Sequence, residues 1–138
     1  MNKYFECKIK YERLLENGKT KNVTDSYIVP ALSFTEAEAA ITREASHFLS
    51  NFFVQDIKRV SYSEIFHDDN EDSDTWFKCK VSFIAFDENS GKESKTSVWM
   101  LVQAANIDGA VDNLNKYMIG SVDYQIGSIT ETNIVDVY

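Results

Sequence analysis

Tyr4-Phe-Glu-Cys-Lys-Ile-Lys-Tyr11 returns as Trp76-Phe-Lys-Cys-Lys-Val-Ser-Phe83, 72 residues further along the chain. Each stretch alternates. Phe5, Cys7, Ile9 and Tyr11 fall on one side and Glu6, Lys8, Lys10 and Glu12 on the other, the pattern of a half-buried strand. The likeness continues, shifted by one residue, through Gly18-Lys19 and Gly91-Lys92, Val29-Pro-Ala31 and Val102-Gln-Ala104, and Ala37 and Ala110. It regains the first spacing at Ile57 and Ile129 and closes with Glu64-Ile65-Phe66 against Asp136-Val137-Tyr138. Two copies of one unit must each bury the same apolar face, so the repeat fixes the architecture before any single element is considered.

Within a copy the order of signals is clear. Glu16-Asn17-Gly18-Lys19 and Glu88-Asn89-Ser90-Gly91-Lys92 are turn chemistry, and they send a second strand back antiparallel, near 23–29 and 96–102. Val98-Trp-Met-Leu-Val102 is apolar on both alternations, which marks a central or covered strand. Ser33-x-x-Glu36 is a capping box, and Ala37, Ala40, Ile41, Ala45 and Phe48 follow at helical spacing. In the second copy Asn106 caps, Ala110, Val111, Leu114, Tyr117 and Met118 form the stripe, and Gly120 ends it. A third extended segment closes each copy, over 53–66 and 124–138. The expected fold is α+β: two tandem strand-hairpin-strand-helix-strand repeats giving about six mostly antiparallel strands, with two helices packed on the sheet. The expected organisation is a single domain over 1–138, with repeats at 1–66 and 76–138 joined by an acidic linker at 67–75.

The composition supports a folded chain. Nine Phe, seven Tyr and two Trp in 138 residues supply large rings for two small cores, each ring burying roughly 150–250 Å². A net charge of −8 argues against a general binder of nucleic acid or anionic membrane. No apolar run reaches the length of a membrane span and the first residues lack a signal peptide's apolar stretch, so a cytoplasmic protein without membrane contact is expected. Cys7 and Cys79 occupy matching inward positions and read as core thiols.

Catalytic signatures are not found. His47 and His67 are the two histidines, neither beside an evident nucleophile, and no glycine loop has the surroundings of a phosphate cradle. No catalytic residue is nominated and no cofactor is expected. The linker spells Asp68-x-Asn70-x-Asp72, the opening of a calcium loop, but Ser73 stands where that loop needs Gly and Cys79 where it needs Glu. It is read as a solvated spacer, with those three residues a weak calcium candidate. Tyr4 with Lys8 and Trp76 with Lys80 share the outward face of each first strand, a ring and a cation produced twice, as a contact for bases and phosphates would need, although a solvated face with the ring covered by a neighbouring element is the commoner reading of such a pattern.

Tyr-Phe-Glu-Cys-Lys near residue 4, Ala31-Leu-Ser-Phe-Thr-Glu-Ala-Glu38, Asp56-Ile-Lys-Arg59, Trp76-Phe-Lys-Cys-Lys80, Met100-Leu-Val-Gln-Ala-Ala105 and Ile134-Val-Asp-Val-Tyr138 together resemble a family of small proteins of unknown function encoded by gut bacteria and their phages. The resemblance implies a self-standing domain and a setting of host interaction or defence evasion, and carries no activity or site residue with it.

The leading reading is a non-enzymatic binding or assembly module with a protein partner or self-association, its interface an apolar patch around Val98, Trp99 and Leu101. The alternative is a nucleotide or single-stranded nucleic-acid binder using Tyr4, Lys8, Trp76 and Lys80, including sequestration of a small signalling nucleotide. An acidic decoy and an enzyme rank below these.

Overall fold

A computed structural model of the chain describes residues 3–121 and 123–138. The elements run β1 (Tyr4–Leu14), β2 (Thr20–Pro30), α1 (Phe34–Ala45), β3 (Phe53–Val60), β4 (Glu64–Phe66), β5 (Thr75–Phe86), β6 (Glu93–Ala104), α2 (Ile107–Tyr117), β7 (Tyr124–Glu131) and β8 (Ile134–Val137). The described residues thus form eight strands, more than the sequence suggests, because each closing segment breaks in two at a short polar interruption. At the first break the Ser63 amide donates to the Trp99 carbonyl at 2.8 Å. At the second, the Thr132 amide and hydroxyl both donate to the Trp76 carbonyl, at 3.0 and 2.7 Å.

The strands form two four-stranded mixed sheets, β3-β1-β2-β8 and β4-β6-β5-β7. In the first, β1 pairs antiparallel with β2 and β3, and β8 joins β2 in parallel. In the second, β5 pairs antiparallel with β6 and β7, and β4 joins β6 in parallel. Matched copy against copy the two orders are the same, with one exchange. The short closing strand of each repeat is laid in the sheet built by the other repeat. Two compact units result, residues 1–61 with 133–138 and residues 62–132, so unit boundaries and repeat boundaries differ.

The hairpins carry the one-residue shift. In the first, Leu15 donates to the Lys19 carbonyl and Gly18 to that of Leu15; in the second, Asp87 donates to Lys92 across a loop one residue longer. Gly18 and Gly91 stand at φ +81° and +70°, where an L side chain is strained. A second matching irregularity lies on the other side of the first strand. Gln55 of β3 and Gly127 of β7 are bulged out of register, beside Lys8 and Lys80 respectively.

In the first unit Phe5, Cys7 and Ile9 of β1 and Tyr27 and Val29 of β2 pack with Ala37 and Ile41 of α1. In the second, Phe77, Cys79 and Val81 pack with Met100, Val102, Ala110 and Leu114. Each large side chain buried this way stabilises the fold by about 1.5–3 kcal/mol relative to exposure. Both helix starts are capped as the sequence predicts, Ser33 Oγ accepting from the Glu36 amide at 3.1 Å and Asn106 Oδ1 from the Gly109 amide at 2.8 Å. The helix stripe ends sooner than its spacing suggests. α1 stops at Ala45, where Ser46 Oγ donates back to the Thr42 carbonyl at 2.6 Å, and Phe48 lies beyond it, half exposed. Among the described residues no helix is long and apolar enough to cross a membrane.

Candidate functional site

The two strand faces do not present equal ring and cation pairs. Tyr4 and Lys8 are both half-buried on the face of the first sheet away from α1, with Asp56 opposite Lys8 in register. Lys80 is exposed, but Trp76 is only 1% exposed and its ring meets the His67 ring edge-on at 5.0 Å. β5 is buried on both alternations at its start, so the outward position at 76 is covered. The apolar run at 98–102 likewise makes no single patch. Val98 packs with the core, and Trp99 and Leu101 point the other way, where Leu101 is fully buried. Val98 is half-buried and Trp99 exposed, with the Lys78 ammonium 4.4 Å from the Trp99 ring centre.

The acidic linker is largely exposed but is anchored to the second unit through Asp68. Asp68 Oδ2 accepts from the Ser73 hydroxyl at 2.6 Å and from Asn113 Nδ2 of α2 at 3.0 Å, while Oδ1 accepts from the Asn70 amide at 3.2 Å. Its own amide donates to Gln103 Oε1 at 2.9 Å. The hydrogen bonds from Ser73, Asn113 and Asn70 hold the Asp68 carboxyl below the ordinary carboxylate range. Asn70 Oδ1 in turn accepts from the Asp72 amide. The alternate oxygens of Asp68 and Asn70 thus serve successive turns of the main chain. Among the described residues no three His, Cys, Asp or Glu side chains gather into a group that could hold a metal.

Cys7 and Cys79 are free and buried, and burial pushes their thiols up to about 12 and about 11. His47 follows the end of α1, and its amide donates to the Glu44 carbonyl at 3.2 Å.

The arrangement best suited to binding lies at the hairpin end of the first unit and was not singled out by sequence. β3 begins only at Phe53, opposite Lys10, so the last four residues of β1 extend past it. Leu15 donates across the hairpin to Lys19, and main-chain groups alternate sides along a strand, so those of Glu12 and Leu14 point away from β2. They face a cleft of about 700 Å³ between the strand and residues 48–53. Leu14, Phe48 and Phe53 line it at 73%, 50% and 54% exposure, a concentration of exposed apolar surface. The Lys10 ammonium stands 5.7 Å from the Phe53 ring centre. In the second unit the matching strand pairs further: the Ile84 amide donates to the Asp123 carbonyl at 3.1 Å. Among the described residues, Glu12 forms no such bond to Asn51.

A groove of similar volume, about 710 Å³, runs between α1 and the edge strand β3 over Phe34, Ala39 and Ile57. The second unit holds a smaller one, about 420 Å³, under Phe66 and Tyr117, whose rings stack at 4.2 Å.

The family described as "Domain of unknown function (DUF4494)" matches residues 3–138. The chain belongs to the DUF4494 family. No curated protein and no solved structure matches it. In this DUF4494 chain the two copies have parted in charge. The first unit carries nine Lys or Arg against nine Asp or Glu, and the second five against thirteen. The whole net charge of −8 therefore resides in the second unit.

Proposed function

We propose that this protein is a non-enzymatic binding module that captures a partner polypeptide in the cleft at the hairpin end of its first unit. One observation carries the reading: the unpaired edge of β1 at Glu12 and Leu14 opens between the exposed side chains of Leu14, Phe48 and Phe53. A main chain with free donors and acceptors beside apolar walls suits another main chain better than it suits a small polar molecule. The phage setting implied by the resemblance is compatible with a host protein as that partner. The nucleotide alternative loses support from the burial of Trp76 and the acidity of the unit around Lys80.

A photo-cross-linking residue placed at Leu14, with a control at exposed Phe86, tests this inside the native cell. The expected result is a discrete protein adduct from position 14 that is absent at 86. Equal adducts at both positions, or none at 14, would overturn the reading.

A further inference from the structure

We infer that the occupant of this cleft is an extended, acid-bearing segment of another protein, added as a strand along Glu12–Leu14. This rests on the reading of the cleft as the binding site and goes on to name the chemistry of what enters it. Three observations converge on it.

The first is main-chain geometry. Glu12 and Leu14 turn both an N–H and a C=O toward the cleft, two donors and two acceptors spaced as an antiparallel or parallel strand would meet them. The second is the distribution of apolar surface. Leu14 and Phe53 share one face of the sheet in the β1–β2 and β1–β3 registers, so an incoming strand meets apolar surface on that alternation, while Tyr11 and Arg13 lie on the other.

The third is charge. Arg13 and Lys21 are direct cross-strand partners, a like-charge pair that destabilises a hairpin. Among the described residues neither has a carboxylate within salt-bridge distance. The matching pair in the second copy is Ala85 and Ser94, so the double positive charge belongs to the copy whose strand edge is open. A carboxylate on the added strand opposite Arg13 relieves that repulsion. The occupant therefore alternates, with apolar side chains opposite Glu12 and Leu14 and an acid opposite Arg13. The chain's own acidic segment does not fit the part, because Asp68 and Asn70 hold it in successive turns rather than extended.

The test is selection of short random peptides displayed against the intact protein, with counter-selection on Leu14→Asp. Leu14 is largely exposed, so that change leaves folding intact. The expected winners alternate apolar residues with Asp or Glu. On binding they slow hydrogen exchange at the Glu12 and Leu14 amides, and they lose binding when their own main-chain amides facing β1 are methylated. Arg13→Glu combined with Lys21→Glu should weaken them about tenfold. Winners without acids, or winners that leave the Glu12 and Leu14 amides unprotected, refute strand addition while leaving the cleft as a binding site. A single-stranded oligonucleotide that competes at Arg13 and Lys21 refutes the polypeptide. Failure to select any peptide that depends on Leu14, together with no adduct at position 14, refutes both readings.

Discussion

Ile134→Ala should weaken the first unit, although residue 134 follows directly on the strands of the second. Ile134 is 5% exposed and pairs with Ser26 in the parallel β2–β8 ladder, next to Val137 and to the Tyr138 amide that donates to the Ile28 carbonyl at 2.8 Å. Truncating a buried Ile to Ala costs about 2–5 kcal/mol, and an edge strand can partly collapse onto the space, so we take about 2 kcal/mol. That raises the open population of the unit about thirtyfold, since each 1.4 kcal/mol is about a factor of ten. Hydrogen exchange resolved by peptide reads this directly. Peptides covering β1 and β2 should exchange about thirtyfold faster where protection comes from that opening, while β5 and β6 change little. Acceleration in β5 and β7 with β2 unchanged would refute the exchange of closing strands, since it would place residue 134 in the sheet of its own repeat.

Gly18→Ala and Gly91→Ala should each cost about 1 kcal/mol in urea unfolding, because open space surrounds both positions and the penalty is the positive φ alone; no loss would mean the turns adopt another form. Ser33→Ala should lower stability by about 1 kcal/mol through loss of the Glu36 amide's acceptor, measured by thermal unfolding. Asp68 is held below the ordinary carboxylate range, so its contribution is complete above the unfolded value and is lost as pH falls through the folded one. An acid titration of the Asn70 and Asn113 NMR signals should show the loop loosening only in that low window, and a change near neutrality would contradict it. With thiols pushed up to about 12 and about 11, Cys7 and Cys79 should resist alkylation at pH 8 until urea unfolds the protein, and rapid native labelling would show that they are open to solvent.

The elements were legible wherever local chemistry decides them. Alternation in 5–11 and 77–83, the turn residues at Gly18 and Gly91, and the caps at Ser33 and Asn106 each act within a few residues, and each appears where the spacing puts it. The division into two sheets was not legible. β4 and β8 are short strands whose choice of sheet depends on pairing with β6 and β2, far away along the chain, and three or four residues of apolar alternation suit either copy. The anchoring of the acidic linker was hidden for a related reason. Five acids in seven residues read as solvated, and Asp69, Glu71, Asp72 and Asp74 are exposed, but Asp68 is held by Asn113 and Gln103, partners distant in sequence. The cleft lay furthest from view, since it exists through an early end to pairing: β3 begins only at Phe53, opposite Lys10, while β1 runs on to Leu14, and no residue type announces a missing neighbour.

The crossing of closing strands also has a consequence for synthesis. β4 leaves the ribosome ahead of the hairpin it will join, and the second unit can close as soon as residue 132 is made. The first unit, though translated first, cannot complete its sheet until residues 134–137 arrive, and β2 presents a vacant edge throughout that wait. A nascent chain stalled after the first repeat therefore holds an unfinished sheet, open to its own second repeat or to the same strand of a neighbouring nascent chain.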